Sequence, residues 1–435
     1  MTSTSKISDF APNEADFGRR LLPHVIDDIA QREPERECFS IPRSSNPADG
    51  WREITFNEYS NAINHISHII IEKCGHPPAK VIPTLAYIGP NDARYVVLLI
   101  AAIKAGYKAL FISPRNSDKA QINLFEKTDC RFLCFPTSHR GIVEQWLQQR
   151  PMQVVEVPPI DDWFPSHHVQ HFPYNKTFEQ AEWDPLAVLH TSGSTGLPKP
   201  VVIKQGMLAV SDAYHNLPSW KGLSPFIRVW SEDSKRQFAP FPLFHAGGLY
   251  LFFTRAIYWG NPVALGIIDR PLSSDLVVEC LKNLDVEGIL LAPIILEQMS
   301  QNAHHIESLS RLKMVIFGGS SLSRDAGDKL SRGGVKLVNA IASTEFSPFP
   351  HYVQNDPSLW QYFVINSDIF GAEWRKIGVE DDVYRLVVVR KTEDPGYQTC
   401  FYTFPDINEF DTGDIYKPHP TLPDYWIHCG RSDST

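Results

Sequence analysis

Short, uniformly apolar runs separated by helical stretches recur along most of this chain, and this alternation restricts the fold more than any other feature. "TLAYIG" reads as a strand, Ala93 to Ile103 as a helix ended by Gly106, and "KALFI" and "CRFLCF" as further strands. A loop-like stretch, Pro158 to Pro173, interrupts the rhythm with Asp, Pro and the paired His167 and His168. A second series follows: "LAVLH", "NPVALG", "EGILLAP", "LKMVIFGG" and "VKLVNAIA". Runs that are apolar throughout are buried on both faces, as parallel strands covered by helices are. At 435 residues the chain exceeds one ordinary core, so two α/β units are expected. From Val379 the pattern changes to short strands between turns, "DVYRLVVVR", "CFYTF", "IYKPH" and "YWIHCG". The expected organisation is a disordered 1–14, α/β subdomains over 15–173 and 174–378, and a small antiparallel β-barrel over 379–430. Residues 431–435 would begin a hinge. Near the N-terminus, helical periodicity begins at Phe17, and Thr55 is placed to cap a second helix.

Composition excludes some functions. The net charge of −9 argues against a nucleic-acid backbone as partner. Seven scattered cysteines, an odd number with no CxxC pair, suit thiols in a reducing compartment. No segment is long and apolar enough to span a membrane, and the N-terminus has no apolar signal core, so a cytoplasmic protein is expected. His304 and His305 fall in a polar helical segment and are expected in solvent.

Chemistry concentrates in "LHTSGSTGLPKP", Leu189 to Pro200, which follows the apolar run Leu186 to Leu189. Ligands gather beyond the carboxyl ends of strands in open α/β sheets. Gly193 and Gly196 let backbone N–H groups turn toward an anion, while Ser192, Ser194 and Thr195 add hydroxyl donors and Lys199 a positive charge. Together they suit a polyphosphate. The loop is not a Walker A motif, because position 198 is proline.

The whole string resembles the phosphate-binding signature of the adenylate-forming superfamily of acyl-CoA synthetases, luciferases and peptide-synthetase adenylation domains. Five further segments resemble that family's motifs in order: "PLFHAGG" (Pro242–Gly248), "FGGSSL" (Phe317–Leu322), "NAIASTEF" (Asn339–Phe346), "DTGD" (Asp411–Asp414) and "GRSD" (Gly430–Asp433). The resemblance implies ATP and Mg²⁺ as cofactors and a small carboxylic acid as substrate. It assigns Thr344, Glu345 and Lys199 to catalysis, with Glu345 also the metal ligand. It assigns the nucleotide to Thr191, the Ser192–Gly196 loop, Ser320, Asn339, Ile341, Ala342, Asp414 and Arg431. Phe244, His245, Gly247, Gly318 and Gly319 would line the acid site, and Asp433 would belong to the hinge. A carboxylate magnesium ligand completed by phosphates and water matches that ion's coordination. One departure concerns adenine: the family's usual Tyr-Gly before Thr-Glu is Ile341-Ala342 here, so Ile341 would offer apolar surface but no aromatic face.

Relatives that activate amino acids place an aspartate where this chain has His245, and no carboxylate follows before Tyr250. A buried ammonium without a partner is costly, so the acid is expected to lack an α-amine. Neighbouring rings Phe241, Phe244, Phe317 and Phe346 favour an aryl acid. The wording of the motifs is most similar to fungal synthetase-like aryl-acid reductases. In that family the acyl-AMP passes to phosphopantetheine on a carrier-protein domain of the same chain, and NADPH serves a reductase domain. The resemblance further implies a mobile C-terminal subdomain after the hinge, absent from these 435 residues, without which the core would have low activity. A stand-alone acyl-CoA ligase, an α-keto-acid-activating synthetase with a thioesterase, and a non-catalytic nucleotide-binding module are the alternatives.

Overall fold

The computed structural model describes residues 16–191, 197–378 and 382–432. The expected disordered segment 1–14 lies outside them. A six-stranded sheet runs in the order Gln153–Val157, Cys130–Pro136, Thr84–Tyr87, Lys108–Phe111, Pro185–Thr191, Lys199–Lys204. Its pairs are parallel except the last, an antiparallel hairpin. A seven-stranded sheet runs Leu337–Ala340, Met314–Gly318, Gly288–Leu291, Gln237–Ala239, Val263–Leu265, Glu37–Pro42, Trp51–Thr55. It too is parallel except for its terminal hairpin. The mostly parallel α/β architecture read from the apolar runs is therefore present.

The boundary expected at 173/174 does not separate these sheets. Strands Glu37–Pro42 and Trp51–Thr55 join the second sheet through Phe39 opposite Val263, while Pro185–Thr191 and Lys199–Lys204 complete the first. An apolar run specifies a buried strand, but its neighbour is chosen by packing across the whole chain. The stretch after Pro158 is a strap rather than a seam. Asn61 on helix Phe56–Cys74 donates to the carbonyls of Pro165 and His167 and accepts from Val169 N–H, and Asn64 accepts from Phe172 N–H. Side chains thus satisfy backbone that has no ladder of its own.

The antiparallel unit is larger than expected and open. Its seven strands run Ala372–Lys376, Tyr384–Val389, Glu409–Pro418, Tyr425–Arg431, Tyr362–Val364, Tyr352–Val353, Ser224–Pro225, an order with two edges rather than a closed barrel. "CFYTF" is not one of them: Cys400–Thr403 is a helical turn, with Tyr402 packed over Gly206. The first helix spans Leu22–Arg32, later than the periodicity suggests, because Gly18 adopts a left-handed φ of 89° and donates to the buried Asp212 carboxylate. Thr55 does cap the second helix, in a reciprocal capping box with Glu58. All seven cysteines are free thiols, and no helix of the described residues is long and apolar enough to cross a membrane.

Candidate active site

Both parallel sheets have a topological switch, and the loops at the two switches touch. Thr84–Tyr87 pairs with strands on either side, as does Gln237–Ala239. At such a point the connections diverge and leave a crevice outside the carboxyl ends. Asn91, beyond the first switch strand, accepts from Leu243 N–H at 2.6 Å and donates to Phe241 O at 3.4 Å, beyond the second. "PFPLFHAGG" is therefore anchored at the seam between sheets.

His245 follows in that loop and caps helix Ala246–Phe252, its Nδ1 accepting from Gly247 N–H at 3.2 Å. The neutral ring then carries its proton on Nε2. Burial lowers its pKa, and the charge of Arg115 lowers it further. Its surface nevertheless remains exposed. Gly248 is required here, because a Cβ would lie 2.4 Å from Pro242 O. Gly247 is half-buried beside Phe241, and Phe244 turns toward Tyr95, with ring centroids 6.1 Å apart.

On the other side of the seam, Thr191 ends its strand directly opposite Lys199, which is exposed. The two strands that flank the segment between these residues are antiparallel partners. Ser192, Gly193, Ser194, Thr195 and Gly196 lie outside the described residues. Sequence reading gave no role to His190, although it is the one polar residue in "LAVLH". Its Nε2 accepts from Ser113 N–H at 3.1 Å, and burial, reinforced by His245, pushes its pKa down to about 4. His190 is therefore neutral at physiological pH. The charge of His245 reaches His190, so the end of this strand and the "FHAGG" segment share one electrostatic neighbourhood.

The Thr344–Glu345 pair lies in the turn of the hairpin Ala342–Ser343/Ser347–Pro348. Three consecutive carbonyls of this turn are tied down by hydroxyls. Tyr250 donates to Thr344 O at 2.8 Å, Thr403 to Glu345 O at 2.7 Å, and Thr399 to Phe346 O. Thr344 is buried and Glu345 half-buried, and among the described residues the Glu345 carboxylate has no hydrogen-bonded or charged partner. Tyr250 feels its charge, which adds to burial in raising the phenol pKa. Tyr250 joins this turn to the helix capped by His245. Tyr250→Phe leaves a buried carbonyl unsatisfied, and should cost about 1–2 kcal/mol of stability and about tenfold in pyrophosphate exchange. Thermal unfolding and exchange rates of the variant check both.

The remaining nucleotide candidates divide. Gly318 faces Ala340 across the sheet, where a Cβ would lie 2.6 Å from its carbonyl oxygen, and Gly319 takes a left-handed φ of 86°. Ser320, after them, is exposed, as is Ala342, while Asn339 is half-buried. Ile341 is 7% exposed and packs with the main core, so little of its side chain faces outward. Alternation along the chain past Ala340 turns it inward and Ala342 outward. Asp414 and Arg431 sit opposite each other on paired strands, Arg431 Nη1 lying 3.7 Å from Asp414 Oδ1. His428, missed in the sequence, connects Asp414 to the loop after Gly319 through Ser321. Asp433 lies outside the described residues.

His305 is corrected: it is buried, with Nε2 3.2 Å from Asp275 Oδ1, although His304 is exposed. Among the described residues no three His, Cys, Asp or Glu side chains gather as a metal cage. A magnesium ion held by Glu345, phosphates and water needs none. The free Glu345 carboxylate fits that arrangement. A cavity of about 580 Å³ between the first two helices and the strap, lined by His24, Asp27, Asn61 and His168, shares no residue with these candidates.

A family model described as AMP-binding enzyme matches residues 26–372. A carboxylic acid reductase of Neurospora crassa is 51% identical over 419 residues, 96% of this chain and 40% of that protein. The adenylate-forming reductase Nps9 of Serpula lacrymans is 26% identical over 91% of this chain and 37% of its own length. The chain thus spans about two fifths of these relatives. The anthranilate CoA ligase AuaEII, solved in complex with anthranoyl-AMP, has the same fold, with a TM-score of 0.72 at 16% identity over 97% of this chain and 79% of that one.

Proposed function

Because the chain belongs to the AMP-binding enzyme family of adenylate-forming enzymes, we propose that it activates a carboxylic acid lacking an α-amine, of the aryl type, forming acyl-AMP and pyrophosphate from ATP. The observation that carries this reading is the turn at Thr344–Glu345. Its three carbonyls are held by hydroxyls from two other elements, and among the described residues the Glu345 carboxylate has no hydrogen-bonded partner.

Attack of a carboxylate on the α-phosphorus, with pyrophosphate leaving, moves no proton to or from the protein. It needs alignment and charge neutralisation rather than a general base. Two neutral histidines at the seam are consistent with that requirement. His245 offers Nε2–H as a donor to a carboxylate in the acid site, and Arg115 adds positive charge that would repel a substrate ammonium. Lys199 and the 192–196 loop would hold phosphates, with Thr191 and Thr344 beside them. Asp414 and Arg431 would receive the ribose, and Ser320, Asn339 and Ala342 would border the base. Gly318 and Gly319 leave room for a flat acid. Glu345 would hold Mg²⁺, which neutralises the phosphate charge as pyrophosphate departs.

In the longer protein that the relatives suggest, the acyl group would pass to phosphopantetheine on a carrier domain, and NADPH would reduce it to an aldehyde. Hydroxylamine trapping with ATP, Mg²⁺ and a panel of acids, on a longer form of the protein that carries the implied C-terminal subdomain, tests the activating step. Hydroxamate from benzoic-type acids, with little from amino acids, is the expected result. Preference for amino acids would refute the specificity, and ATP binding without hydroxamate from any acid would favour a non-catalytic module. Thioester formation with free CoA would point to an acyl-CoA ligase.

A further inference from the structure

His428 has no part in that mechanism, yet it stands between two segments assigned to the nucleotide. Its Nδ1 lies 3.1 Å from Ser321 Oγ, in the loop after Gly319, and its Nε2 lies 3.7 Å from Asp414 Oδ1. The two contacts use opposite ring nitrogens, and the ring rests edge-on against the fully buried Tyr416 at 5.3 Å. A neutral imidazole donates from one nitrogen only. With Nε2–H toward the carboxylate, in a charge contact longer than a hydrogen bond, Nδ1 accepts from the Ser321 hydroxyl, so one ring faces both segments at once. Oδ1 also faces Arg431 Nη1 at 3.7 Å.

We propose that His428 is a positioning residue for the ribose: it ties the Asp414 carboxylate to the Ser321 loop, so that the sugar and base sides of the nucleotide site are set as one unit. The proposal rests on the adenylate-forming reading for the nucleotide in this cleft. A carboxylate held in one orientation discriminates strongly against a sugar lacking the hydroxyl it expects, because that analogue leaves a desolvated acceptor unpaired. A loosely held carboxylate can turn to another partner and discriminates less.

Calorimetric titration of the 435-residue chain with ATP, 2′-deoxy-ATP and 3′-deoxy-ATP in the presence of Mg²⁺ tests this. The wild-type chain should prefer ATP over the weaker analogue by about tenfold. His428→Gln places an amide near Nε2 and keeps the Asp414 contact, whereas His428→Asn places one near Nδ1 and keeps only Ser321. Asparagine should reduce the preference to within about twofold, glutamine should retain part of it, and Ser321→Ala, which removes one exposed hydroxyl, should fall between. A merely structural role would lower thermal stability and leave the ratio unchanged. An unchanged ratio in His428→Asn and Ser321→Ala, or no preference in the wild type, overturns the proposal. The titration contains no acid, so ATP binding without discrimination defeats this inference alone, while absence of ATP binding defeats the functional reading and this inference with it.

Discussion

Glu345→Gln is expected to slow acid-dependent ATP–pyrophosphate exchange by about 10²- to 10³-fold without unfolding the chain. The substitution keeps the side chain's shape and removes its charge. Nothing in the turn depends on that charge for folding, because Thr344, Glu345 and Phe346 are held through their carbonyls by Tyr250, Thr403 and Thr399. Among the described residues the carboxylate has no other partner to explain its place in a half-buried hairpin. A glutamine can still offer an oxygen to a metal ion, but without the charge that holds a small, strongly hydrated dication. The residual exchange should therefore demand a higher Mg²⁺ concentration, and the loss should fall mainly on turnover rather than on the acid's KM. Exchange within about threefold of the wild type would remove Glu345 from the chemistry.

Acidification is expected to destabilise the fold steeply between pH 6.5 and 4, and His351 should carry a large share. This ring is fully enclosed, stacked on Phe226 at 4.6 Å, with Nδ1 3.1 Å from Phe349 O. Burial pushes its pKa down to about 4, the same value reached by His190. A histidine with a depressed folded pKa binds its proton more readily when unfolded. Its stabilising contribution is present above the unfolded value and is lost as pH falls toward the folded one. For a fall from about 6.5 to about 4, each histidine accounts for on the order of 3 kcal/mol. His65, His139, His215 and His245 are lowered too and act in the same direction. Asp92, Glu37 and Glu182, raised chiefly by burial, act in the opposite sense.

His351→Phe separates these contributions. At pH 7.5 the variant should be less stable by about 1 kcal/mol, because Phe349 O loses its donor. At pH 4.5 it should be more stable by on the order of 2 kcal/mol, because nothing remains at that place to protonate. Thermal unfolding midpoints across the pH range should therefore cross. Parallel curves for variant and wild type would show that His351 does not titrate with unfolding.

Much of the site was legible because its residues are tied to local chain features. Apolar runs ending in Gly, Ser or Pro mark the carboxyl ends of parallel strands, and "PLFHAGG", "FGGSSL" and "NAIASTEF" each follow such a run. What escaped notice were residues whose partners are distant in sequence. His190 meets Ser113 across 77 positions, and Ser321 meets His428 across 107. Neither histidine carries a local signal beyond being a polar residue within a strand. The burial of Ile341, between the strands Leu337–Ala340 and Ala342–Ser343, likewise depends on packing across the core and has no local sign in its motif.

The apolar runs of the two α/β series could be read as strands, and Thr55 as the start of a helix, from the residues alone. All of these depend on side-chain periodicity and backbone capping within a few residues. Tertiary structure alone decided that Glu37–Thr55 completes the second sheet and Pro185–Lys204 the first, that the antiparallel unit stays open, and that Asn91 joins the two switch loops. Strand partners and cross-sheet hydrogen bonds are selected by packing summed over the whole molecule, and no local pattern encodes that sum.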